Sequence, residues 1–299
     1  MARIVVAMRA QPLRVASHLA PGVEPLYAYL AGHMANAIGR QAEFVMAESY
    51  ERCAQDIDDV CFVCSIPYLL FADAGRIDME VLAAPVLSGN RYADQPIYLS
   101  DVIVAARSPF QSFADLRGTR WAYNEPFSHS GYITVLHHLA TLCEDRGYFA
   151  EMVEAGFHQD AIRMVADGRV DASAIDTEVL DIELRDHAEL AEQLRRIGSI
   201  GPSTIQPVVA SRARLNATER LAIREALLEV ADVPGAEPFL TDALVARFVQ
   251  VSAGSYDDIR RMYGQVRDAG LLDAGWDARW RAIADRKGDP QAVVSPAPA

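Results

Sequence analysis

Residues 115–134 read DLRGTRWAYNEPFSHSGYIT. An apolar segment, Trp121-Ala122-Tyr123, runs into a polar turn, Asn124-Glu125-Pro126-Phe127, then Ser128-His129-Ser130-Gly131 and an apolar-periodic run from Tyr132 to Leu142. A strand, a hydroxyl-rich turn and a helix start make an anion site. The first helical amides have no intrahelical acceptor, and the macrodipole puts partial positive charge on them. Ser128 and Ser130 add hydroxyl donors, and Gly131 would let a ligand approach the backbone. A plain serine N-cap is the competing reading.

The pattern continues on both sides. Strands are expected at residues 3–8, 42–47, 60–64, 80–86, 98–106, 170–175 and 205–211. Helices are expected at 24–38, 50–56, 132–146, 160–167, 178–195, 217–231, 238–247, 255–267 and 276–285. In the 24–38 segment Leu26, Tyr27, Leu30, Met34 and Ile38 share one face. Alternation of this kind predicts an α/β fold with largely parallel strands, whose ligands bind beyond strand carboxyl ends. Ser65, His158 and Asp176 fall at such places. The tail from Lys287 is rich in Pro and Ala, and is expected to fray.

The 299 residues are 51% hydrophobic and 23% charged, with net charge −13, as in an ordinary globular protein without nucleic-acid or anionic-membrane partners. A small anion remains compatible, because local dipoles hold one whatever the global sign. Arg9 and Arg91 are available as anion partners, while Glu48, Asp56, Asp58 and Asp59 read as a solvated face. Beginning at Met1 with a strand-like segment, the chain shows no secretory leader, which predicts a cytoplasmic location, or a periplasmic or cell-surface one if a leader is missing. No apolar run is long enough to insert in a membrane. Of the four cysteines, Cys61 and Cys64 have metal-like spacing, but no second Cys/His pair lies nearby in sequence. Buried structural thiols are expected, with no metal and no cofactor.

Five segments taken in order carry a resemblance: VCSIPYLL (63–70), APVLSGNRYADQPIYLSDVIV (84–104), DLRGTRWAYNEPFSHSGY (115–132), GFHQDAIRMVADGRVDASAID (156–176) and IGPSTIQPVVAS (200–211). They resemble the phosphate/phosphite/phosphonate-type substrate-binding proteins of ABC importers, in the type II periplasmic-binding-protein superfamily. The resemblance implies two transferrin-like α/β lobes, 1–96 plus 207–285 and 97–206, with two crossing hinge strands and a flexible tail, 286–299. It implies a small oxyanion (phosphate, phosphite or phosphonate) bound between the lobes, no catalysis, and an ABC transporter membrane subunit as partner.

By the same resemblance, Ser128, His129, Ser130 and Gly131 would hold the oxyanion and His158 would donate to it. Asp176 would orient a donor or take a proton from the ligand, Tyr98 and Tyr92 would border the cleft, and Ser65 would be the first-lobe contribution. Phe157, where the family usually has a small residue, would narrow the pocket. Helix capping is an alternative role for His158 and Asp176, and core packing for Tyr98. Two other functions stay open: a cytoplasmic sensor, and an enzyme on the same fold using Ser130, His158 and Asp176 as a triad.

Overall fold

The computed structural model describes residues 11–285. The strand expected at residues 3–8, Arg9 and the tail from Lys287 lie outside them. The chain starts with β1 (Leu13–Ser17), α1 (Glu24–Ala37), β2 (Ala42–Met46), α2 (Glu51–Ala54), β3 (Val60–Phe62), α3 (Ser65–Asp73) and β4 (Met79–Leu87). The middle follows with β5 (Ile97–Ala105), β6 (Arg120–Tyr123), α4 (Thr134–Thr141), β7 (Glu151–Glu154), α5 (His158–Ala166), β8 (Ala172–Asp176), α6 (Thr177–Asp186), α7 (Ala188–Gln193) and β9 (Leu194–Thr204). Last come β10 (Val208–Ser211), α8 (Ala217–Glu229), α9 (Glu237–Asp242), β11 (Val245–Val249), α10 (Asp257–Asp268) and α11 (Trp276–Ala284).

These strands form two sheets, ordered β11-β4-β10-β3-β1-β2 and β7-β6-β8-β5-β9. Parallel pairing holds only in part. β1 runs parallel to β2 and β3, and β6 to β7 and β8. β10 lies antiparallel between β3 and β4, β11 antiparallel to β4, and β5 antiparallel to both β8 and β9. The reversals come from the chain leaving the first sheet after β4 and returning through β10. The two crossings run side by side, joined by the Ile205 amide donating to the Pro96 carbonyl at 3.0 Å.

Local chemistry explains the elements. Leu26, Tyr27, Leu30 and Met34 form the buried stripe of α1. The β3 residues are buried throughout, as in a parallel strand covered on both faces. α3, unassigned from sequence, accommodates Pro67 in its first turn, where a missing N–H breaks no helical bond. Asn216 and Glu219 close a capping box on α8, each side chain accepting from the other's amide at 3.0 Å. Of the four acids read as a solvated face, Glu48 is exposed and Asp56 half-buried, but Asp58 and Asp59 are buried: Arg52 grips Asp58, and Arg214 Nε lies 2.8 Å from Asp59 Oδ1. The C-terminal helices reach the second sheet's layer, with Trp276 Nε1 donating to the Pro126 carbonyl at 2.9 Å and Arg279 paired with Glu154.

Candidate binding cleft between the two sheets

Strand carboxyl ends from both sheets face one cavity of about 340 Å³. The first sheet contributes the loops after β1, β2 and β3, including His18, Glu48, Tyr50 and Cys64; the second contributes those after β6, β7 and β8. Gln206, on the returning crossing, also lines it.

Four of the sequence-derived site residues meet on the second-sheet wall: Ser128, Ser130, His158 and Asp176. Ser128 is the N-cap of the turn, and its Oγ accepts from the Gly131 amide at 3.1 Å, leaving the hydroxyl hydrogen free to donate. One irregular π-type turn, His129–Ile133, leads into α4. Ser130 Oγ lies 3.0 Å from His158 Nε2. Burial lowers the His158 pKa to about 4, so the ring is neutral at pH 7 and its Nδ1 has no partner. An Nε2–H donating to Ser130 would free the serine hydrogen for an anion.

Asp176 both caps α6 and lines the cavity. Its Oδ1 accepts from the Glu178 amide at 3.0 Å and its Oδ2 from Gln206 Nε2 at 2.8 Å. Burial raises its pKa to about 6 against those hydrogen bonds. Because Asp176 bonds to Gln206 and not to His158, the Ser130–His158–Asp176 set is not a relay.

Five expected site residues lie outside the lining. His129 is fully buried, its Nε2 2.9 Å from Ser203 Oγ and 3.1 Å from Thr134 Oγ1, so it ties the turn to β9. Gly131 serves packing: a Cβ there would fall on Asn124 Oδ1 and 3.1 Å from His158 Cε1. Tyr98 is 1% exposed, a core ring tilted against His129. Ser65 begins α3 with its hydroxyl buried and unpartnered, while its neighbour Cys64 takes the cavity wall. Tyr92 is buried beneath Arg91. Arg91 itself forks onto Asp101 at 2.7 and 3.0 Å, away from the cavity. Phe157 does line the cavity but is 55% exposed, so its ring belongs to the rim.

Sequence reasoning singled out Asp176 but missed the other acids. Glu48, Glu125, Glu154, Asp176 and Glu178 all line the cavity, and no arginine or lysine does among the described residues. Burial raises Glu125 to about 7, partly offset by the Tyr50 hydroxyl, which donates to its Oε1 at 2.5 Å. Glu178 is pushed well above the carboxylate range by burial and then by Asp176. Scattered across four separate segments, these residues leave no spacing signal in one sequence.

A family model for ABC transporter phosphonate periplasmic substrate-binding proteins matches residues 16–256. The chain belongs to this family. Solved structures agree on the fold. A binding-protein component of an ABC phosphonate transporter from Pseudomonas aeruginosa superposes with a TM-score of 0.75 at 18% identity, covering 92% of this chain and 95% of that one. PhnD1 from Prochlorococcus marinus, solved with methylphosphonate, gives 0.71 at 13% identity over 85% and 98%. The alkanesulfonate-binding protein SsuA from Xanthomonas axonopodis, bound to MOPS, gives 0.57 at 18% over 89% and 96%. Members of this family are two-lobed, ligand-binding transporter components rather than enzymes, and work with membrane components. The family is periplasmic, which is the second of the two locations expected from sequence. Among the described residues no helix is long and apolar enough to cross a membrane.

Proposed function

We propose that this substrate-binding protein takes a phosphonate-type oxyanion that also carries a cationic amine. The oxyanion end would sit on the Ser128 and Ser130 hydroxyls and the amides of the turn, with His158 behind Ser130. The ammonium end would face the carboxylates of Asp176, Glu178 and Glu125. The observation that carries this reading is the wall itself: five acids and no arginine or lysine among the described residues, beside a hydroxyl-rich helix start. Among the described residues no cationic side chain lines that wall to pair with a bare anion, whereas an amine on the same ligand would pair with the buried carboxyls and draw them into the ionised form. A cavity of about 340 Å³ also has room for a substituted phosphonate.

The division into lobes at 96/97 and 206/207 fits this reading, with hinge motion about the Pro96–Ile205 crossing closing the cleft on its ligand. The ligand would then pass to the membrane subunits of an importer. A thermal-shift screen tests the function. Aminoalkylphosphonates should raise Tm more than alkylphosphonates, phosphate, sulfonates or carboxylates by mass action. A response confined to ligands without phosphorus would overturn the reading.

A further inference from the structure

His18, Cys53 and Cys61 come from β1's carboxyl end, α2 and β3, and their ligating atoms all lie within 4.8 Å of one another. Both cysteines are fully buried free thiols. His18 Nδ1 lies 3.0 Å from the Ser49 carbonyl. A carbonyl only accepts, so Nδ1 carries a hydrogen, which leaves Nε2 as the nitrogen whose lone pair a metal would take. That Nε2 is buried and makes no hydrogen bond.

A neutral imidazole whose second N–H is fixed by a backbone carbonyl is how proteins orient a metal-binding histidine. Two sulfur donors beside it select soft cations. Metal–sulfur bonds of about 2.3 Å and metal–nitrogen bonds of about 2.0 Å place the donors roughly 3.5–4 Å apart. The present arrangement needs a contraction of only about 1 Å to reach that. We propose that His18, Cys53 and Cys61 bind one thiophilic d10 metal ion, Zn²⁺ or Cu⁺.

The site stands independently of the ligand assigned to the cleft, although His18 lines that cleft. The His18 ring stacks on Tyr50, with centroids 5.6 Å apart, so metal would hold that part of the wall in place. Cysteine binds metal as thiolate, so metal binding releases the thiol protons. Two thiolates then balance Zn²⁺.

Anaerobic titration of the reduced full chain tests the site. Co²⁺, as a spectroscopic stand-in for Zn²⁺, should produce a thiolate charge-transfer band that saturates at one equivalent. Zn²⁺ should abolish that band and release about two protons per ion. A chelator competition measures Cu⁺ in parallel, and stoichiometric uptake of either d10 ion supports the site. Cys53→Ser and Cys61→Ser should lose the band, and His18→Gln should weaken metal retention at least tenfold, with wild-type circular dichroism as the check on folding. Wild-type protein that binds none of these ions at one equivalent would overturn the proposal. So would a band that survives in the Cys53→Ser/Cys61→Ser protein.

Discussion

The Tyr50 hydroxyl donates to Glu125 Oε1 at 2.5 Å, joining the loop after β2 in the first sheet to the loop after β6 in the second. This bond joins the two walls of the cleft and holds there a carboxyl whose pKa burial raises to about 7. The Tyr50 ring in turn stacks on His18, so the contact belongs to a short chain of packed groups reaching β1.

Glu125 makes folding stability depend on pH. Its folded pKa, about 7, lies above its ordinary 4.5, so between those values the folded state holds more protons than the unfolded state. The stability this contributes is fully present below about pH 4.5 and is lost as pH rises through 7. Asp176, raised to about 6, acts in the same direction over a lower window. Glu125→Gln should therefore be more stable than wild type at pH 8, by about 1–3 kcal/mol, with a flatter profile between pH 5 and 8. Urea unfolding at several pH values measures this.

The oxyanion end depends on the two serines. Ser128→Ala and Ser130→Ala should each weaken phosphonate binding about tenfold or more, since hydrogen bonds to charged groups contribute ~1.5–3 kcal/mol. Wild-type affinity in the double variant, by calorimetry, would remove the site from this turn.

The acids should decide selectivity. Asp176→Asn and Glu178→Gln should lose affinity for an aminoalkylphosphonate while leaving the matched alkylphosphonate unchanged or tighter. Asp176→Asn also changes the group that receives the Gln206 hydrogen bond, and burial favours the protonated form of Glu178 until an amine is bound, so the two variants are read together.

Gly131 should tolerate no side chain, since a Cβ would collide with Asn124 and crowd His158. Gly131→Ala should cost about 1–3 kcal/mol by overpacking. Its unfolding midpoint should fall even without ligand, which separates packing from binding.

Strong local patterns survive the passage from sequence to structure. The buried stripe of α1, the strand entering Ser128 and the cap at Asp176 all have local causes. The helix expected at 178–195 overlaps only Leu194 and Arg195 of β9, and the rest of LRRIGSIGPST carries no expected element because its Gly, Ser and Pro residues have poor strand propensity. Pairing along β5 holds it, and as an edge strand it admits Pro202. β11 hides behind α9, which ends at a turn with Leu244 at φ 55°. The short β7, Glu151–Glu154, has too little buried surface to show a period. The acidic wall was the largest omission. Glu48 is solvated and still borders the cavity, while Glu125 sits in a polar turn by sequence and only the tertiary contact with Tyr50 places it in the wall. Likewise, His18 lies far in sequence from Cys53 and Cys61, so cysteine spacing alone could not reveal their cluster.

Calorimetric comparison of 2-aminoethylphosphonate with ethylphosphonate at pH 8 and pH 5 tests the central claim most directly. The pair shares a phosphonate group, so the difference isolates the amine. The account expects at least tenfold tighter binding of the amine at pH 8, where Asp176 and Glu125 are ionised, and a smaller preference at pH 5. Equal or weaker binding of the amine at pH 8 would contradict it.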